Sequence, residues 1–250
     1  MPEGKPAKRR PAPSASAFMM RAIDLADRGI GFVSPNPPVG AVAVRDGEIV
    51  AEGYHHRFGA PHAEANLIAS VPPRVLVGAD LYVTLEPCAH HGKTPPCTDA
   101  IIDARFRSVT YGVEDPNPLT RGKGPTRLRT AGIEVECGVE AIAIRRQLAP
   151  YLRWIRSGLP LVTAKWAMTA DGRIATSSGD ARWISSEAML DRTRAERGRY
   201  DAILIGSGTQ RADDPRLTSG GSAAREPLRV LLSSSFELED EERLPTTIGE

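Results

Sequence analysis

Four residues in the first hundred carry groups whose chemistry works best together. His62 and Glu64 stand in HAEANLI, and Cys88 and Cys97 flank AHHGKTPP within LEPCAHHGKTPPC. One imidazole and two thiolates make a donor set that suits zinc. A catalytic zinc keeps three protein ligands and one open position for water, which it ionises near pH ~7. Such chemistry also requires a proton carrier, and Glu64, two residues from His62, is the candidate general acid/base. Inside a helix, residues i and i+2 point roughly 200° apart. His62 and Glu64 therefore converge only at a helix start, with Pro61 just ahead. A structural zinc closes with four ligands, yet no fourth cysteine is near. Cys137, in IEVECGV, is expected to pack in a strand, and His91 is the weaker candidate for a fourth ligand.

These groups must be positioned by surrounding elements. Apolar spacing predicts a helix over 18–29, with Phe18, Ala22, Ile23 and Ala26 on one face and Gly29 as its cap. The loop 34–40 is full of breakers. Segments 39–44 and 48–54 read as two strands joined by an Asp46-Gly47 turn. Further on, helices are expected at 62–70, 98–106, 124–132 and 140–158, with Gly158 closing the last. Strands are expected at 79–85, 108–113 and 133–139. The strand before Cys88 would deliver it at its carboxyl end, where α/β sheets bind ligands. A second unit starts near residue 159. It holds expected strands at 160–168, 201–209 and 227–234 and a helix at 185–199. Strands alternating with helices imply an α/β fold with mainly parallel central strands. Three strands are thin for a sheet covered on both faces. The second unit is therefore expected to be unusually small or part of something longer.

Bulk properties narrow the class. The chain has 250 residues, 41% of them hydrophobic, and a formal charge of +1, enough for one large or two small domains with a real core. Residues 1–17 carry four basic groups and one acidic, so they read as a disordered, solvated basic tail on a near-neutral body. No basic stripe continues beyond it, which argues against a nucleic-acid partner. No segment reads as a membrane span or a signal peptide, and the expected location is the cytoplasm. Three cysteines make no disulfide framework, which favours metal or catalytic roles.

The His-Ala-Glu and Pro-Cys stretches resemble the signature of zinc nucleobase deaminases, with eight residues instead of two between the cysteines. The inserted loop carries His90, His91 and Lys93, a cationic surface suited to a phosphate-bearing substrate. PNPPVGAVAV, GYHHRFGAPHAEANLI, YVTLEPCAHHGKTPPCTDAII, DPNP, LPLVTAKWAMTADGRIATSSGDARWISSE and DAILIGSGTQRADDPRLT, spanning about 18–235, resemble the bifunctional riboflavin-biosynthesis deaminase–reductase family.

That resemblance implies a cytidine-deaminase-like three-layer α/β/α domain over 18–158. A partial dihydrofolate-reductase-like α/β domain follows over 159–250, because family reductase domains continue through further strands and a Gly-rich diphosphate segment. It implies zinc-dependent deamination of diaminohydroxyphosphoribosylaminopyrimidine and NADPH-dependent reduction of the product's ribosyl group. By motif, His62, Cys88 and Cys97 hold zinc and Glu64 shuttles protons. Asn36, His55, His90 and Lys93 fall on positions used around the pyrimidine and its phosphate. In the second half, Ala181, Arg197 and Leu217 fall on substrate positions, and Arg197 makes physical sense as a phosphate fork. Ala167, Trp183, Thr209, Asp213 and Ser234 fall on cofactor positions. Two other readings stay open. One is another zinc deaminase, of nucleosides or of a tRNA base. The other is a truncated, non-catalytic zinc- or nucleotide-binding protein. Homo-oligomerisation would cover the edges and apolar faces of an incomplete second domain.

Overall fold

The computed structural model describes residues 14–92, 94–181, 184–221 and 226–235. Its first helix, α1 (Ala15–Asp27), starts at Ser14, whose side chain accepts from the Ala17 N–H. Residues 15–17 are therefore helical rather than tail, and residues 1–13 lie outside the described residues. The helix closes at Arg28 in right-handed geometry, not at Gly29.

β1 (Gly40–Arg45) and β2 (Glu48–Tyr54) form the expected hairpin. Asp46 and Gly47 both take positive φ, 54° and 80°, the backbone that a two-residue turn between twisted strands requires. Next come α2 (Ala63–Ala69), a one-turn α3 (Pro73–Leu76), β3 (Asp80–Leu85), α4 (Cys97–Asp103) and β4 (Ser108–Val113). Then α5 (Lys123–Thr130), β5 (Glu134–Cys137), α6 (Ala141–Gln147) and α7 (Ala149–Ser157) complete the first unit. The sheet runs β2-β1-β3-β4-β5, with β3, β4 and β5 parallel and β1 antiparallel to both its neighbours.

Alternation along the strands sorts the core onto two faces. Ala41, Ala43, Leu81 and Val83 pack with Leu67, Ile101 and Leu128 of α2, α4 and α5. Val42, Val44, Leu85 and Val113 pack instead with Met19 and Leu25 of α1 and Ile144 of α6. Helices thus cover both faces of one sheet, the three-layer α/β/α arrangement of the cytidine-deaminase fold. The single helix expected over 140–158 is two, because Pro150 has no N–H and its ring blocks a continuous path from the preceding turn. Gly158 does close the second of them, at φ 66°.

The chain divides after Leu161, with Ile30–Ser34 grouped with the second unit. That unit holds α8 (Glu187–Arg197), β6 (Ala202–Gly206), α9 (Ser207–Asp213) and β7 (Leu228–Leu232), with β6 and β7 a parallel pair. Residues 160–168 form no strand. Their apolar side chains are exposed, Val162 by 84% and Trp166 by 64%, and a strand exists only where a neighbour supplies backbone partners. α9 is unexpected from sequence. No helix among the described residues is long and apolar enough to cross a membrane.

Candidate active site

The site forms where α2 starts and where β3 and β4 end. Pro61 leads into His62, which caps α2 in extended geometry (φ −70°, ψ 169°), and Glu64 follows inside the first turn. The backbone changes direction between them, so the i and i+2 side chains reach one cavity despite their opposition in a regular helix. β2 holds α2 close: a Cβ on Gly53 would sit 2.5 Å from Ala63 O and Leu67 N. β3 runs out at Leu85 into Glu86 and Cys88, and Cys97 opens α4.

His62 Nδ1 lies 3.2 Å from Cys97 Sγ and 3.6 Å from Cys88 Sγ, and the three donor atoms fall within 4.8 Å of one another. Tetrahedral zinc with Zn–S of about 2.3 Å and Zn–N of about 2.0 Å needs donor separations of roughly 3.5–3.8 Å. The trio fits that ion in donor chemistry; the His62–Cys88 separation falls in that range and the His62–Cys97 separation is about 0.3 Å short of it. The thiol and backbone N–H of Cys97 both donate to Cys88 Sγ, and with the His62 ring they hold the Cys88 thiol far below its ordinary value. The thiolate is the form that ligates metal. His91 is exposed and stands outside this cluster.

Glu64 is 3% exposed. Burial pushes its carboxyl up, and the Cys88 thiolate adds to that. Beside it opens a cavity of about 420 Å³ whose wall includes Asn36, His55, Cys88 and His90, a size that holds a small ligand. Lys93 lies outside the described residues. His56 packs on Tyr54, with ring centres 4.2 Å apart.

The same wall carries groups with no role assigned from sequence: Glu86, Asp115, Asn117, Thr120 and Tyr151. Glu86 Oε2 accepts from the Asp115 N–H at 3.3 Å. Burial pushes the Glu86 carboxyl up to about 7 against that bond. Asp115 Oδ1 accepts from the Tyr151 hydroxyl at 2.8 Å and from the Asn117 N–H at 2.9 Å. One signal was available. Asp115 and Asn117 belong to DPNP and follow β4, the parallel neighbour of β3, so both lie at the carboxyl edge of the sheet. Nothing local marks Tyr151, which arrives on α7.

In the second unit Arg197 ends α8 and donates to Thr218 O at 3.3 Å, bringing it beside the turn that holds the buried Leu217. Thr209 and Asp213 share one face of α9, and Ser234 follows β7. Ala167 and Ala181 sit in irregular backbone, and Trp183 lies outside the described residues.

A helix-covered mixed sheet with a His/Cys/Cys trio and a buried glutamate defines a zinc deaminase domain of the cytidine-deaminase class. The cytidine and deoxycytidylate deaminase zinc-binding region matches residues 13–113. The RibD C-terminal domain matches residues 160–248. The chain belongs to the family of the riboflavin biosynthesis protein RibD. It is 39% identical to that protein from Escherichia coli, covering 93% of this chain and 67% of the relative. It is 45% identical to the one from Actinobacillus pleuropneumoniae, covering 88% of this chain and 58% of the relative. Among solved structures, a Thermotoga maritima diaminohydroxyphosphoribosylaminopyrimidine deaminase/5-amino-6-(5-phosphoribosylamino)uracil reductase is 45% identical, with a TM-score of 0.81. That match covers 87% of this chain and 62% of the other. The chain spans about three fifths of the length of several curated relatives it matches.

Proposed function

We propose that the first unit hydrolytically deaminates diaminohydroxyphosphoribosylaminopyrimidine in riboflavin biosynthesis. The observation that carries this reading is the buried Glu64 carboxyl in one cavity with His62 and Cys88. We assign His62, Cys88 and Cys97 as the zinc ligands. When bound, zinc supplies a water that ionises near neutral pH. The rest falls to the chain's own groups. Glu64 takes one proton of the attacking water and delivers it to the ring nitrogen, then takes the second from the resulting hydroxyl and passes it to the departing amine, so that the C–N bond breaks, ammonia leaves and a carbonyl remains. Asn36, His90 and Lys93 are assigned to the pyrimidine and its phosphate, and His55 to the wall of the same pocket. A reducing compartment, the cytoplasm, suits a chain whose three cysteines are all free.

The second unit is read as part of the reductase that uses NADPH to convert the product's ribosyl group to ribityl. The match over 160–248 supports this. Ala167, Trp183, Thr209, Asp213 and Ser234 are assigned to the cofactor, and Ala181, Arg197 and Leu217 to the substrate. The test is ammonia release from the aminopyrimidine by the zinc-loaded chain, with and without NADPH. E64Q should keep full zinc and lose about 10²- to 10⁴-fold in turnover, the usual contribution of a positioned acid/base. Normal deamination by E64Q would remove Glu64 from this role. Absence of ammonia from the wild-type chain would refute the deaminase reading itself.

A further inference from the structure

His55 borders the cavity, yet it is 2% exposed and both ring nitrogens already have partners. Nδ1 lies 3.0 Å from Pro61 O, and Nε2 lies 3.1 Å from Asn36 Nδ2. A carbonyl oxygen only accepts, so Nδ1 carries the proton. The neutral ring then offers a bare Nε2, which accepts. Of the two arms of the Asn36 amide only the nitrogen can donate to it, and this fixes which way the amide is turned. Pro61 O is itself anchored, since it also accepts from Asn66 Nδ2 at 3.1 Å, and Asn66 in turn donates to Tyr54 O at 2.8 Å. Asn36 Oδ1, the remaining arm, has no hydrogen-bond partner among the described residues, and Asn36 lines the cavity.

We propose that His55 is a positioning residue: locked as the Nδ1–H tautomer by Pro61, it turns Asn36 so that Oδ1 accepts an N–H of the bound pyrimidine. This rests on the aminopyrimidine deaminase reading. It also narrows the ligand. The edge facing Asn36 must present a donor, an amino or a lactam N–H. A ring carrying only a lone pair there would leave Oδ1 unpaired and be rejected. Pro61 immediately precedes His62, so one turn fixes both the ligand-reading amide and the metal-facing imidazole.

The experiment uses the zinc-loaded chain with ¹⁵N-labelled histidine. Nitrogen–proton correlation spectra of the wild type should show a protonated Nδ1 and a bare Nε2 on His55, whereas an Nε2–H tautomer would overturn the proposal. In H55N the shorter side chain reaches Pro61 but not Asn36. At full zinc content its KM should rise about three- to tenfold, the range for one oriented hydrogen bond, with a smaller change in kcat. H55Q, whose oxygen extends towards the Nε2 position, should bring KM back towards wild type. Because His55 acts through Asn36, N36A and the N36A/H55N double variant should raise KM by similar factors. Additive effects, or a wild-type KM in H55N, would overturn the proposal. Should H55N fail to hold zinc, the wild-type tautomer decides. Absence of ammonia release by the wild type would refute the deaminase reading while leaving the tautomer test intact.

Discussion

Gly53 is where the scaffold sets the position of the turn that carries His62 and Glu64. It lies on β2 directly beneath α2, and an added Cβ would stand 2.5 Å from both Ala63 O and Leu67 N. Both are backbone atoms of a helix that packs on the sheet, so neither can swing aside as a side-chain end would. To reach ordinary contact at 3.4 Å, α2 must withdraw by about 0.9 Å. Overpacking of this kind costs ~1–3 kcal/mol, and backbone partners put G53A near ~3 kcal/mol. The same displacement moves His62 and Glu64 relative to Cys88 and Cys97, and a misplacement of ~1 Å costs about 10²-fold in rate. Denaturant midpoints, zinc content and ammonia release would be measured on G53A and on G40A. Gly40 packs as closely, against Ala22 and Ala26 of α1, but α1 carries no assigned site residue. Both variants should be destabilised, while only G53A loses turnover per folded molecule. Equal turnover in the two folded variants would refute the link from β2 through α2 to the site.

Two further predictions test the metal site and the sheet edge. C88S should lose zinc, and chelation of the wild type should lower its melting temperature, because metal binding is coupled to folding; a calorimetric scan with and without chelator checks both. Burial pushes the Asp80 carboxyl up, but hydrogen bonds from Arg107 at 2.9 Å and Ser108 at 2.7 Å outweigh this and hold it below its ordinary value. A depressed folded pKa stabilises the fold above the unfolded value of about 3.9, and this is lost as pH falls through the folded value. D80N should therefore be less stable than wild type at pH 7, with the gap closing below about pH 4 in urea titrations.

That His62, Cys88 and Cys97 come together beside a buried Glu64 was legible in the sequence, because residue type and short spacing suggest a common site. The Asp46-Gly47 turn was legible because only such residues tolerate two successive positive φ angles. The far wall of the cavity was not. The Tyr151–Asp115 hydrogen bond joins residues 36 apart, and only the packing of α6 on β4, with α7 following it, brings them together. Cys137 does sit in β5 but is exposed, because β5 is the last strand of its sheet and alternation alone does not reveal an edge. α9 was hidden by the Gly-Ser-Gly run at 206–208, which reads as a breaker until β6 has been placed before it. The strand expected at 160–168 had the right residues, but apolar alternation records only a side-chain pattern. Backbone partners, which make a strand, are not written in that pattern.

That distinction between pattern and pairing has a measurable consequence in the second unit. Among the described residues β6 and β7 pair only with each other. Leu204, Leu228 and Leu232 are 61–67% exposed, and α8 buries none of its side chains. A two-stranded sheet is marginal in water unless a third strand or a packed helix covers a face. In the first unit, β1 and β3 each have a strand on both sides, and Val42, Leu81 and Val83 are fully buried. Amide protection follows burial and local contact density. Hydrogen exchange of the zinc-loaded chain should therefore find β6 and β7 amides exchanging orders of magnitude faster than those of β1, β3 and β4. NADPH should slow β6 and β7 selectively if it binds this unit, because a ligand stabilises what it binds. Protection in β6 equal to that in β3 without cofactor would mean that the exposed leucines are covered in solution, and the argument from strand count would fail.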